Sequence, residues 1–288
     1  MTEKYRKVLS VIFAMVFVIS AVLLIRHKQQ TGEAEKEYAN AQQLAGLTDL
    51  EETSVATEEP MVPVTEPVAT EETIPEETEP QTYWIPVAPS EDPYLEKLAA
   101  TDLNALREVN PDVVGWIFLP NTQINYPLVQ GQDNQFYLEH TWEGKKSVAG
   151  SIFLESTNSS DLKDRRSIIY GHNMMDLSMF GVLSYYRYPW HWDTNRYVYL
   201  VTDEGAFRYE IYSCYKAEVS GHTYALELDE PGEIAALIRL TLEQAEYDTG
   251  IIPASTDRIL TLSTCVGSET HRQVVHARLE MMEVTGEQ

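Results

Sequence analysis

The sequence predicts a mostly β domain with few helices, preceded by a single N-terminal transmembrane helix and a disordered tether. Three observations carry this. Many short runs rich in Val, Ile, Tyr, Phe and Thr are separated by polar turns. Near the start stands an 18-residue run without charge, Gly or Pro. Between the two lies a long stretch of Pro, Glu and Thr with no hydrophobic period.

The apolar run, Val8 to Ile25, is just long enough to cross a bilayer as a helix. A signal peptide would usually have a shorter apolar region, roughly 7–15 residues, and a small-residue cleavage site. Here Arg26-His-Lys28 follows at once, so an uncleaved anchor is the expectation. The long Lys- and Arg-free segment beyond it favours a cytoplasmic N-terminus. Residues 29–47 have modest helical character and read as a continuation of that helix into a short stalk. From Thr48 to Pro93 the composition cannot bury enough apolar surface to fold, which predicts an extended, self-repelling spacer. The expected organisation is therefore an anchor over 1–28, stalk and linker over 29–93, and a folded domain over 94–288. Neither the anchor nor the tether carries Cys, or His, Asp and Glu at a useful spacing, so whatever chemistry the chain performs is expected to survive without residues 1–93.

The net charge of −24 argues against nucleic-acid binding, which needs a basic footprint. Much of it is local: 15 acidic residues and no Lys or Arg lie between Lys36 and Lys97, leaving −9 for the rest. The 2 cysteines, Cys214 and Cys265, fall on different predicted strands and give no disulfide framework. No Cys/His cluster has zinc spacing, and neither a metal nor a cofactor is expected.

Order is predicted to resume near Pro93. Tyr94–Ala100 and Leu103–Arg107 repeat apolar residues at helical spacing and read as one helix, closed by Asn110-Pro111. Strands follow at Val113–Leu119, Ile124–Val129, Gly150–Leu154, Arg166–His172, Arg196–Val201 and Phe207–Ala217. Gly232–Glu246 is the clearest helix, with Ile234, Leu237, Ile238, Leu242 and Ala245 on one face. Two last strands, Ile259–Cys265 and Arg272–Leu279 running on to Met281-Met282, are joined by the polar loop Val266–His271.

In the strand Ile259–Cys265, Leu260, Leu262 and Thr264 share one face, while Ile259, Thr261, Ser263 and Cys265 share the other. A hairpin would set Cys265 opposite Arg272 across its mouth. A thiol is a strong nucleophile only as thiolate, and a neighbouring guanidinium favours that form while also offering donors to an oxyanion. The competing interpretation is a small hydrophobe ending a core strand beside a surface charge. A histidine after a strand can supply acid/base chemistry. Among the 7 histidines, the residues alone leave both His172 and His271 open.

Thr261-Leu-Ser-Thr-Cys265 followed by Arg272-Gln-Val-Val275 resembles the catalytic signature of sortases, the cysteine transpeptidases of Gram-positive cell surfaces, and class B in particular. Tyr170-Gly-His-Asn-Met174 resembles the family's histidine motif. NPDVVGWIFLPNTQINYPLVQ, DNQFYL and GSIFLE appear in the family's order, and the likeness covers residues from about 95 to 282. It implies a closed β-barrel with peripheral helices, the helix at Gly232–Glu246 being similar to the class B insertion. It further implies Cys265 as nucleophile, His172 as acid/base and Arg272 on the oxyanion, with Ser263, Asn125 and Tyr224 lining a substrate groove. The implied partners are secreted proteins with a C-terminal sorting signal and, as acceptor, an amine of the cell wall precursor or a pilin lysine. The implied location is the cell membrane, single-pass, with an extracellular catalytic domain. The sequence departs from the family in having Val266 where an acidic residue commonly follows the cysteine. A plain cysteine peptidase and a catalytically inert wall-binding membrane module remain as alternatives.

Overall fold

The computed structural model describes residues 3–48, 50, 92–224, 228, 231–265 and 270–284, without side chains at 3–11, 22–31, 231, 265 and 281–284. The predicted tether lies almost wholly outside these residues, and so does most of the loop Val266–His271. Among the described residues no helix is long and apolar enough to cross a membrane. The side chains of residues 8–11 and 22–25, at both ends of the predicted span, are not among them.

Eight strands alternate with short helical pieces: β1 Val113–Phe118, β2 Asn125–Val129, β3 Ile152–Leu154, β4 Arg166–Gly171, β5 Tyr197–Thr202, β6 Gly205–Glu218, β7 Ile259–Cys265 and β8 His271–Val284. They close into a barrel in the order β1-β2-β3-β4-β7-β8-β6-β5, with β5 returning to β1. Most neighbours are antiparallel, but β2–β3 and β4–β7 run parallel. Closure leaves no sheet edge unpaired, which removes the usual liability of an exposed strand.

The alternation read from the sequence sorts side chains between the two sides of this wall. Ile169, Leu260, Leu262, Val275 and Ala277 are buried in the barrel core with Trp116, Leu128 and Phe153. Ile259 faces outward, where Tyr212 and the helix Pro231–Gln244 cover it through Ile234, Leu237 and Ile238. That helix, α5, is thus held by the face its periodicity predicts.

One expectation needs correction and another gains a contact. The single helix near Pro93 is two, α2 Leu95–Ala99 and α3 Leu103–Val109, because Asp102 accepts a hydrogen bond from the Ala105 amide at 2.9 Å and caps a new start. Asp92 binds the first turn of α2 through the Tyr94 and Leu95 amides and also accepts from Tyr199 and Arg208. The predicted stalk does continue the helix, and it packs on the barrel instead of standing free. It is the end of α1 (Glu3–Leu44), where Ala34, Tyr38 and Ala41 are buried in the barrel's core cluster, as are Ala45, Leu47 and Leu50 beyond it. Small residues at helical spacing let that helix lie close against β2, where Tyr38 meets the Tyr126 ring edge-on at 5.0 Å. The remaining helix, α4 (Pro189–Thr194), packs through the buried His191 and Trp192.

Candidate active site

The register of three neighbouring strands builds one rim of the barrel. In the parallel pair β4–β7, Gly171 is opposite Thr264, so the next residues along each strand, His172 and Cys265, emerge side by side. In the antiparallel pair β7–β8, Cys265 is opposite Arg272. Neighbouring strands lie about 5 Å apart, so the three residues follow one another across the rim on β4, β7 and β8. The backbone places Cys265 there, although its side chain is outside the description.

Outward from this rim opens a groove of about 370 Å³, lined in part by Leu138, Glu155, Tyr170, His172, Tyr224, Ser263 and Arg272. The His172 ring is fixed by a 2.7 Å hydrogen bond between Nε2 and the Leu138 carbonyl. A carbonyl only accepts, so Nε2 carries a proton, and Nδ1 is the nitrogen that can gain and lose a second one. Arg272 donates from Nη1 to the His271 carbonyl at 3.0 Å, which holds one arm of its planar fork. His271 is not among the groove's lining residues; its Nδ1 pairs with the Thr270 hydroxyl.

The candidate substrate residues separate. Ser263 and Tyr224 both line the groove, and their hydroxyls are joined at 2.8 Å. Asn125 is buried on β2, where Oδ1 accepts from Trp116 Nε1 at 2.7 Å, and it is not part of the described lining. Residues that sequence reasoning did not assign also shape the site. Tyr170 donates to Glu155 Oε2 at 2.9 Å, and Asn134 donates to Oε1 of the same carboxylate. Burial and then that carboxylate push the Tyr170 phenol well above its usual range, so it stays neutral. The blocks DNQFYL and GSIFLE contain Asn134, Leu138, Gly150 and Glu155, and membership in those family-like blocks was the signal for them.

Cys214, whose side chain is described, is in a different setting. Cys214 is buried in the barrel core with Sγ 2.8 Å from the Tyr186 carbonyl, and burial pushes its pKa up to about 12. A thiol so shifted is almost wholly protonated at neutral pH and a poor nucleophile. His276, on the outer face of β8, bonds Thr261 Oγ1 through Nδ1 and is fully buried. Burial and then the Arg166 charge hold its pKa well below the ordinary histidine value, so it is neutral. Among the described residues no group of His, Cys, Asp and Glu is arranged to hold a metal ion.

Comparison with known proteins places this geometry. The sortase domain family matches residues 117–280. Sortase B of Listeria monocytogenes is 33% identical over 186 residues, covering 62% of this chain and 74% of that protein. Sortase B of Staphylococcus aureus is 29% identical over 173 residues, covering 59% of this chain and 71% of that one. Among solved structures, sortase B from Bacillus anthracis in complex with AAEK2 superposes with a TM-score of 0.57 at 34% identity, covering 62% of this chain and 83% of the other. A Staphylococcus aureus sortase B–substrate complex gives a TM-score of 0.59 at 30% identity, covering 62% and 85%.

Proposed function

This chain belongs to the sortase family, and from that premise we propose that it is a membrane-anchored enzyme that cleaves a C-terminal sorting motif of secreted proteins after Thr and transfers the product to an amine of the cell wall precursor. Its likeness to class B members makes it a sortase cysteine transpeptidase; the substrate, acceptor and location are our reading. The single observation that carries the mechanism is the shared rim: Gly171 opposite Thr264 and Cys265 opposite Arg272.

In this mechanism the Cys265 thiolate attacks the Thr carbonyl carbon, and the carbonyl oxygen takes the negative charge. Arg272 donates N–H groups to that oxyanion from a planar fork. As the tetrahedral species collapses, the peptide C–N bond breaks and His172 gives its Nδ1 proton to the leaving amine. A thioester now joins Cys265 to the substrate. An incoming amine attacks the same carbonyl and loses a proton to His172, and the thiolate departs as the new amide forms. Ser263 and Tyr224 would line the path of the substrate.

The anchor rests on the uninterrupted run Val8–Ile25. Its described part is exposed, with Phe13 at 66% and Phe17 at 76% accessible, which is costly in water and favourable in lipid. The catalytic domain would then lie outside the cell, where secreted substrates are found. The functional test is product analysis of Pro-x-Thr peptides incubated with the full chain, with and without an amine acceptor. The expected result is an amide-linked product that grows with amine concentration. Hydrolysis alone, unaffected by any amine, would point instead to a cysteine peptidase.

A further inference from the structure

The catalytic histidine leans on a loop that the N-terminal helix holds in place. His172 Nε2 donates to the Leu138 carbonyl, and Gly150 packs directly beneath that pair. A Cβ at Gly150 would come within 2.6 Å of the Leu138 oxygen, 2.7 Å of the Tyr137 oxygen and 3.0 Å of His172 Cδ2. Its φ of 58° lies in the left-handed region, which a glycine adopts without strain. The Gly150 carbonyl in turn accepts a 2.8 Å hydrogen bond from Tyr38 Oη, made in a buried setting. The adjoining residue tightens the same loop: the Ser151 amide donates to the Tyr137 carbonyl at 2.9 Å, and Ser151 Oγ donates to the His140 carbonyl at 2.7 Å.

We propose that Tyr38 and Gly150 are positioning residues for the transpeptidase reaction: the end of α1, through the Tyr38 hydroxyl, sets the loop carbonyl that orients His172. The proposal rests on the sortase reading, in which His172 moves the proton. It makes α1 more than a connection to the anchor, since the helix that leads from the apolar run ends in a buried hydrogen bond one residue-contact away from the acid/base group. It also runs against the expectation that everything before the barrel can be removed without effect on chemistry. The physical basis is that acid/base catalysis depends on the ring's placement, where errors of an ångström can cost about a hundredfold in rate.

The test uses the full chain in detergent and the Pro-x-Thr peptide that the wild type cleaves fastest. Tyr38→Phe keeps the ring's contact with Tyr126 and removes only the donor. The expected result is a kcat about tenfold lower, the scale of one buried hydrogen bond, with KM within about twofold of wild type because substrate contacts are untouched. Gly150→Ala attacks the same contact from the other side and should lower kcat on the order of a hundredfold. Lys145→Ala removes an ion pair to Glu37 that also ties α1 to the barrel, made at 2.9 Å by an exposed lysine, and should leave kcat unchanged. Wild-type kcat in Tyr38→Phe, or equal losses in Tyr38→Phe and Lys145→Ala, would overturn the positioning role. His172→Ala separates the two layers: full turnover by that variant would overturn the sortase mechanism itself, whatever Tyr38→Phe does.

Discussion

The two faces of the strands β4, β7 and β8 share one backbone and have opposite chemistry. Inward, Ile169, Leu260, Leu262, Val275 and Ala277 are sealed in the core. Outward, the same strands carry Arg166, Tyr170, Thr261, Ser263, Arg272, His276 and Arg278, each paired in register with a neighbour on the adjoining strand. The outer face is itself graded along the strands. At the far end α5 covers Ile259, in the middle His276 and Thr261 are fully buried, and only at the rim of His172, Cys265 and Arg272 does a groove open. The lesson is that a residue's parity decides whether it packs or reacts, and its height on the strand decides whether it can be reached.

The largest effect expected from breaking this contrast compares the two cysteines. Cys265→Ala, at the open rim, should lower turnover on the order of 10⁴-fold or more, the scale of losing a nucleophile. Cys214→Ala, in the core, should keep its turnover per folded molecule. The next comparison holds the face constant and changes the height. Arg272→Lys should lower kcat/KM about a hundredfold, because an ammonium lacks the planar fork that donates two hydrogen bonds at once. Arg278 lies about 20 Å down the strand at ~3.3 Å per residue and is held by Glu210 at 2.7 Å. Arg278→Lys should leave kinetics as in wild type; a loss equal to that of Arg272→Lys would show that height on the strand does not matter, and wild-type kinetics in Arg272→Lys would show that charge alone does.

Crossing to the inner face should move stability instead of chemistry. Leu262→Ala should cost about 2–5 kcal/mol by denaturant unfolding, with kcat per folded molecule retained. The smallest effect concerns the covered middle. His276 is held neutral in the folded protein, whereas the unfolded chain takes up a proton near pH 6.5. The unfolded state therefore binds more protons below that pH, and stability should fall as the pH drops from about 6.5. His276→Gln should flatten that acid loss of Tm but leave a remainder, since burial also depresses His191. An identical pH dependence in the variant would contradict the buried, neutral assignment.

Much of this contrast was legible in the sequence because strand parity is local. The period-two pattern in Ile259–Cys265 assigns every side chain of β7 to its face before any partner is known. The resemblance supplied what pattern could not, the joint roles of His172 and Cys265; that β4, distant in sequence, runs beside β7 is seen only in the structure. Where reading failed, the cause was tertiary. Ala34, Tyr38, Ala41 and Ala45 offer one large side chain among small ones, too weak an apolar stripe to predict docking until the barrel wall is in place. The break between α2 and α3 was legible in principle from Asp102 followed by Ala105, a capping geometry that apolar spacing alone overrode. Asn125 came from resemblance, and its side chain serves Trp116 instead of the groove.

The central claim is that the rim of β4, β7 and β8 holds the thiol that forms the acyl enzyme. Mass spectrometry of the intact full chain after incubation with Pro-x-Thr peptides, followed by peptide mapping, tests it most directly. The account predicts one covalent adduct, a peptide ending at its Thr and attached to Cys265, that disappears when an amine is added. An adduct on Cys214, or steady product formation by the Cys265→Ala protein, would contradict it.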